Sequence, residues 1–173
     1  MANTMTLISS QTFASSATSA TFSSIPQTYT DLKIVVSART DNSLTFNSST
    51  MTFNGSSTGY SERNLYGNST GTVSANNTNN YLEYIWTNGG NTTASTFGNL
   101  EIYIPNYTSS NYKSASFDMV FENNSTSTNG AIAGFQAGLW TNTAAITSLA
   151  ITSGGGTNFV QYSTFYLYGI KSS

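Results

Sequence analysis

Apolar residues along this chain alternate with polar ones over short stretches, and clusters of Asn, Gly, Ser and Thr separate the stretches. That period of two is the signature of half-buried β-strands, and no segment carries the wider spacing of an amphipathic helix. The pattern predicts strands over Met5 to Phe13 and Ala20 to Ile25, the second closed by Pro26, which cannot donate to a central ladder. Asp31 to Arg39 is the clearest early strand, with Leu32, Ile34, Val36 and Ala38 on one face and Lys33, Val35 and Ser37 on the other. From Asp41 to Asn80 the chain reads mostly as loop, broken by a short strand from Thr50 to Asn54 that ends in the turn pair Asn54-Gly55.

Tyr81 to Thr87 reads as a strand with Leu82, Tyr84 and Trp86 on one side, followed by the reversal Asn88-Gly89-Gly90. Phe97 to Ile104 follows and stops at Pro105. In Ser114 to Glu122 the residues Ala115, Phe117, Met119 and Phe121 mark a core face. Ala131 to Trp140 carries glycines at 134 and 138, where a neighbour must come close. Leu149 to Thr152 and Phe159 to Ile170 end the series, joined through Ser153-Gly154-Gly155-Gly156.

The closing strand stands apart. Val160, Tyr162, Tyr166, Tyr168 and Ile170 lie on one face and Phe159, Phe165 and Leu167 on the other, so both faces carry apolar or aromatic side chains. A sandwich strand buries one face. The second must meet a loop of its own chain, a neighbouring subunit or a larger assembly.

At 173 residues the chain suits one domain, 1–173, with a core of its own. Aromatic residues reach 13%, which argues against disorder despite the polar composition. Charged residues make up only 7% and the net charge is −2, so there is no basic patch for nucleic acid. The first residues hold neither a basic leader nor a long apolar run, and no membrane segment is expected. Asn-Xaa-Ser/Thr sequons such as those at Asn47, Asn68, Asn91 and Asn106 arise by chance in so Asn- and Thr-rich a chain.

His and Cys are absent, which removes the usual proton shuttle, the thiolate nucleophile and ordinary zinc sites. The remaining enzymatic route is a carboxylate pair drawn from Asp31, Asp41, Glu62, Glu83, Glu101, Asp118 and Glu122. Asp118 and Glu122 share a strand face but stand too far apart, unless a neighbouring strand supplies a partner. Asp41-Asn42 fits an Asx turn better than a calcium loop, and the glycine clusters lack the Lys and helix of a phosphate loop. No cofactor is expected. Trp86 and Trp140, at strand ends, are either core caps or an exposed platform for a sugar.

Several phrases stand together in order: Thr6-Leu7-Ile8-Ser9-Ser10-Gln11-Thr12, Ile25-Pro26-Gln27-Thr28-Tyr29-Thr30-Asp31-Leu32, Ser37-Ala38-Arg39-Thr40-Asp41, Ile102-Tyr103-Ile104-Pro105-Asn106-Tyr107, and Phe159-Val160-Gln161-Tyr162-Ser163-Thr164 with Tyr168-Gly169-Ile170. In these the chain resembles small structural proteins of tailed bacteriophages, especially marine and cyanobacterial ones. The resemblance implies a virion component made in the host cytoplasm, without catalytic residues, and a jelly-roll-like antiparallel β-sandwich with little or no helix. It leads to the expectation of a capsid decoration or cement protein, a homotrimer by analogy, bound to the major capsid protein on the capsid surface. The assembly interface is expected at Tyr162, Phe165, Tyr166, Tyr168 and Ile170, with Leu7 and Ile8 in an anchor strand within residues 1–13. The alternative is a tail or fibre module that holds host glycans through Trp86 and Trp140.

Overall fold

The computed structural model describes residues 4–68, 70–124 and 130–171. Twelve strands form among them: β1 (Met5–Thr12), β2 (Ser19–Phe22), β3 (Asp31–Ala38), β4 (Phe46–Phe53), β5 (Tyr60–Asn68), β6 (Gly71–Asn79), β7 (Leu82–Asn88), β8 (Gly98–Ile104), β9 (Lys113–Phe121), β10 (Ile132–Trp140), β11 (Leu149–Thr152) and β12 (Thr164–Ile170). Among the described residues the only helical element is a 3-10 turn at Gly154–Gly156. The strands make two antiparallel sheets, one in the order β1-β12-β3-β8-β9-β10-β5-β6 and the other β2-β11-β4-β7. The chain is therefore an all-β antiparallel sandwich.

Alternation drives this arrangement. Leu32, Ile34 and Val36 of β3, Leu100, Ile102 and Ile104 of β8, Ala115, Phe117, Met119 and Phe121 of β9, and Phe165 and Leu167 of β12 all point inward and are buried. Ala20, Phe22, Met51, Phe53, Leu149 and Ile151 of the smaller sheet meet them. Each fully buried side chain of this size contributes on the order of 2 kcal/mol of transfer free energy, so this shared interior is the main source of stability.

The wiring interleaves the sheets. The strands β1, β3, β8 and β12 lie in the larger sheet, and β2, β4, β7 and β11 in the smaller one. The first two strands pair with the last two, β1 with β12 and β2 with β11. Two further pairs, β5 with β6 and β9 with β10, both enter the larger sheet and extend it past β8.

The stretch from Asp41 to Asn80 departs from expectation, since it contains an eight-residue β4 and the long β5–β6 pair. The inward positions of β5 include Glu62 and Asn64, and β6 offers only Val73 and Ala75 among polar residues, so apolar alternation is missing although the ladder is continuous. Asn68 closes that hairpin by accepting hydrogen bonds from Thr70 N and Gly71 N, both at 3.0 Å. In β7 the expected face of Leu82, Tyr84 and Trp86 is broken. Met51 stands opposite Leu82 and Ser49 opposite Ile85, so β7 holds one extra residue, with Tyr84 at φ +58°. In β10 the inward face is the one with Ile132, Gly134, Gln136, Gly138 and Trp140, and the glycines admit Tyr66 and Leu82.

The last strand begins at Thr164 rather than Phe159. Residues 160–163 form a turn in which Ser163 N donates to Val160 O at 3.2 Å. Inside the sheet Gly169 receives the ring of Tyr29, and a Cβ at that position would overlap the ring. Gly169→Ala should therefore cost about 1–3 kcal/mol through overpacking. A drop of several degrees in a calorimetric melting scan is the expected result, and an unchanged midpoint would show that Tyr29 moves aside freely.

Candidate assembly surface and buried polar groups

The outward face of the larger sheet is the candidate functional surface. Across the strands run two registered rows. One aligns Leu7, Tyr168, Lys33, Tyr103, Ser116, Ala137 and Arg63, and the next aligns Ser10, Tyr166, Val35, Glu101, Asp118, Phe135 and Leu65. At the β1–β12 end Leu7 is 50% exposed, Met5 faces Ile170, and Tyr166, Tyr168 and Ile170 are half-buried by one another and by β1. Four of the residues expected to mediate assembly, Leu7, Tyr166, Tyr168 and Ile170, thus form one apolar patch.

Others do not join it. Phe165 points inward, is fully buried against Phe13 and Phe159, and belongs to the core. Ile8 sits where the β1 register shifts between Leu7 and Ser9, and it packs on the core as well. Residues 1–3 of the expected anchor segment lie outside the described residues; the rest of that segment is paired to β12.

Tyr162 occupies the turn before β12, 67% exposed, at φ +70°. Its N donates to Phe13 O at 2.8 Å, which holds the turn in place.

The two tryptophans, open between core caps and a sugar platform, are buried and belong to the core. Trp86 packs edge-on against Tyr66 with ring centroids 4.4 Å apart, and Trp140 stacks on Tyr60 at 6.1 Å. Large apolar rings at the ends of these strands close the core under β5. Within the strands of the larger sheet the exposed aromatics are instead Tyr103 and Phe135, the latter 64% exposed. They flank a shallow depression with Lys33, Glu101, Ser116 and Asp118. There β8 places Glu101 directly opposite Asp118 of β9, the cross-strand carboxylate pair that sequence alone left open. Lys33 Nζ lies 2.8 Å from Glu101 and offsets part of the repulsion between them.

Most other carboxylates anchor backbone. Asp31 accepts from Asn106 N at 2.8 Å and from the Tyr103 hydroxyl at 2.7 Å. Asp41 accepts from Asn158 N and Nδ2, and these bonds hold its pKa below the usual carboxylate value. Asn42 makes the expected Asx turn, with Oδ1 accepting from Leu44 N at 2.7 Å. The guanidinium of Arg39 gathers the 90–96 loop by donating to Gly90 O, Thr92 O, Thr93 O and Thr96 O. Lys113, buried, donates its ammonium to Ser109 O, Asn111 O and Thr143 O, and burial lowers its pKa.

Glu62 is different because its carboxyl is inside. Its Oε2 accepts from Glu83 N at 2.7 Å and Gln136 Nε2 at 2.8 Å, while Oε1 has no hydrogen-bond partner. Burial, with a smaller contribution from the charge of Glu83, pushes its pKa up to about 6 from 4.5. Because the folded-state value is the higher one, the associated stability is complete below pH 4.5 and is lost as pH rises through 6. The loss is about 2 kcal/mol, from 1.36 kcal/mol per pKa unit.

Glu62→Gln should accordingly be more stable than the parent at pH 7.5, with the difference vanishing below pH 4.5 in urea titrations; parallel curves at every pH would contradict a raised pKa. Tyr162→Asn should raise stability by about 1 kcal/mol, because a bulky side chain is strained in the left-handed region that Asn tolerates. A lower urea midpoint would mean that the ring contributes packing that outweighs the strain. No family model, curated protein or solved structure matches this chain.

Proposed function

We propose that this chain is a non-enzymatic structural protein of a bacteriophage virion, a decoration or cement protein on the capsid surface. The observation that carries the reading is the strand wiring. With β5, β6, β9 and β10 set aside, β1-β12-β3-β8 faces β2-β11-β4-β7, the order that two interleaved Greek keys produce in a jelly roll. Viral coat domains use this architecture repeatedly, and the order of phrases that resembles phage structural proteins agrees with it. Asp31, Arg39, Asp41 and Lys113 are spent on anchoring loops and turns, in keeping with an adhesive role.

In this reading the patch of Leu7, Tyr166, Tyr168 and Ile170 lies against the major capsid protein. It couples apolar contact to few ions, so docking desolvates little charge. Lectins share the jelly roll, and the depression between Tyr103 and Phe135 gives the glycan-binding tail module its own support, in place of Trp86 and Trp140.

Purified particles separate the readings by copy number: hundreds of chains per particle in a quantitative gel for decoration, a handful for a tail part. Absence of the chain from particles would overturn both. For the patch, Tyr166→Asp with Tyr168→Asp should leave the fold intact by circular dichroism and remove the chain from particles. Retention at parental copy number would exclude this surface.

A further inference from the structure

A sheet edge presents a row of unpaired N–H and C=O groups, and proteins blunt such edges by keeping them short, bulging them, or placing charge or Pro on them. Three of the four edges in this sandwich follow that rule. The strand β2 has four residues, β1 carries a register shift at Leu7–Ser9, and β7 carries both the extra residue at Tyr84 and the charge of Glu83. The fourth, β6, does not. It is nine residues long, pairs with β5 without interruption from Tyr60↔Asn79 to Asn68↔Gly71, and reads Gly-Thr-Val-Ser-Ala-Asn-Asn-Thr-Asn, with no charge and no Pro.

We infer that β6 is the self-association edge of this protein and pairs antiparallel with β6 of a second copy, joining two eight-stranded sheets into one. The second copy is the occupant that the strand itself suits. In an antiparallel pair of identical strands, inward side chains stay inward only if paired residue numbers sum to an even value, and full overlap of 71–79 sets Ala75 opposite Ala75. Ser74 then meets Asn76, Val73 meets Asn77 and Thr72 meets Thr78. Every pair is neutral, so self-pairing meets no repulsion, and Thr pairs are favourable across strands. Asn77 and Asn79 direct their Nδ2 groups to Glu83 Oε2 at 3.4 and 2.9 Å, and Asn77 Oδ1 accepts from Thr78 N at 2.9 Å, a bond that pairing exchanges for one to the second copy. A twofold contact of this kind is isologous and closed, so it stops at two copies rather than growing into a fibre.

The inference concerns the isolated chain and does not depend on the virion reading, so the two stand or fall separately. Thr72 and Thr78 are exposed on the outward face, opposite Gly67 and Ser61 of β5, where charge is tolerated in the single copy. Light scattering after size exclusion should give the parent chain a mass twice 18.4 kDa. Thr72→Lys with Thr78→Lys places two lysine pairs across the twofold and should halve that mass. Thr72→Glu with Thr78→Glu should do the same. An equimolar mixture of the two variants should restore the doubled mass, which a variant that had merely misfolded could not do. A parent that remains single-copy at millimolar concentration, or lysine and glutamate variants that keep the parental mass, would overturn the inference. A mixture that fails to reassociate while both variants are folded by circular dichroism would overturn it as well.

Discussion

Every peptide group taken from water must find a hydrogen-bond partner, and that demand governs this molecule outside its ladders. Twelve strands need many connections, and those connections run over the sandwich with little regular structure to satisfy them. The sequence answers with amides and hydroxyls. Asn54 shows the device at its fullest: its Oδ1 accepts from Thr147 N and Ser148 N while its Nδ2 donates to Ala145 O. Where several carbonyls converge, a single cation serves them all, Arg39 for one loop and Lys113 for another. A composition rich in Asn, Thr and Ser and poor in charge is thus a structural solution, with Arg39 and Lys113 placed where several carbonyls converge.

How much of this is legible in the sequence depends on where apolar burial dominates. In β3 and β8 one face is wholly apolar, and in β9 only the buried Lys113 at its start interrupts it, so strand and facing follow from period-two alternation. In β5 and β6 polar residues take inward positions, Glu62 buried but bonded to Glu83 N and Gln136 Nε2, and Asn77 bonded to Glu83, so the apolar pattern disappears. The extra residue at Tyr84 is invisible for another reason: a left-handed residue usually announces itself as Gly or Asn, and here it is Tyr. The candidate surface divides in the same way. The outward placement of Tyr166, Tyr168 and Ile170 follows from alternation in β12. Phe165 is excluded by that same alternation once the inner face is known, whereas the burial of Trp86 and Trp140 depends on Tyr66 and Tyr60, which come from a strand that the sequence conceals.

The added strands change what a small sandwich can present. An eight-strand core alone would offer an outward face four strands wide, whereas β9, β10, β5 and β6 double that width and bring Phe117, Met119, Phe121, Trp140 and Tyr60 into the interior. They also separate two unlike surfaces, the tyrosine patch at β1–β12 and the neutral edge at β6, which lie at opposite ends of one sheet. Contacts made at one end leave the other free.

The pairing of the earliest strands with the latest sets the tempo of folding. Met5 sits opposite Ile170 and Ser19 opposite Thr152, while β12 lies between β1 and β3 in the sheet. Neither β1 nor β2 can find its partner until nearly the whole chain has left the ribosome, and closing so long a loop precedes any reward from the contacts it brings. Such a sandwich gathers slowly, on the millisecond-to-second scale of high contact order. Early emerging segments must wait in solution, and the Ser and Thr residues that break the short hydrophobic runs of β1 and β2 keep them from collapsing on one another in the interval.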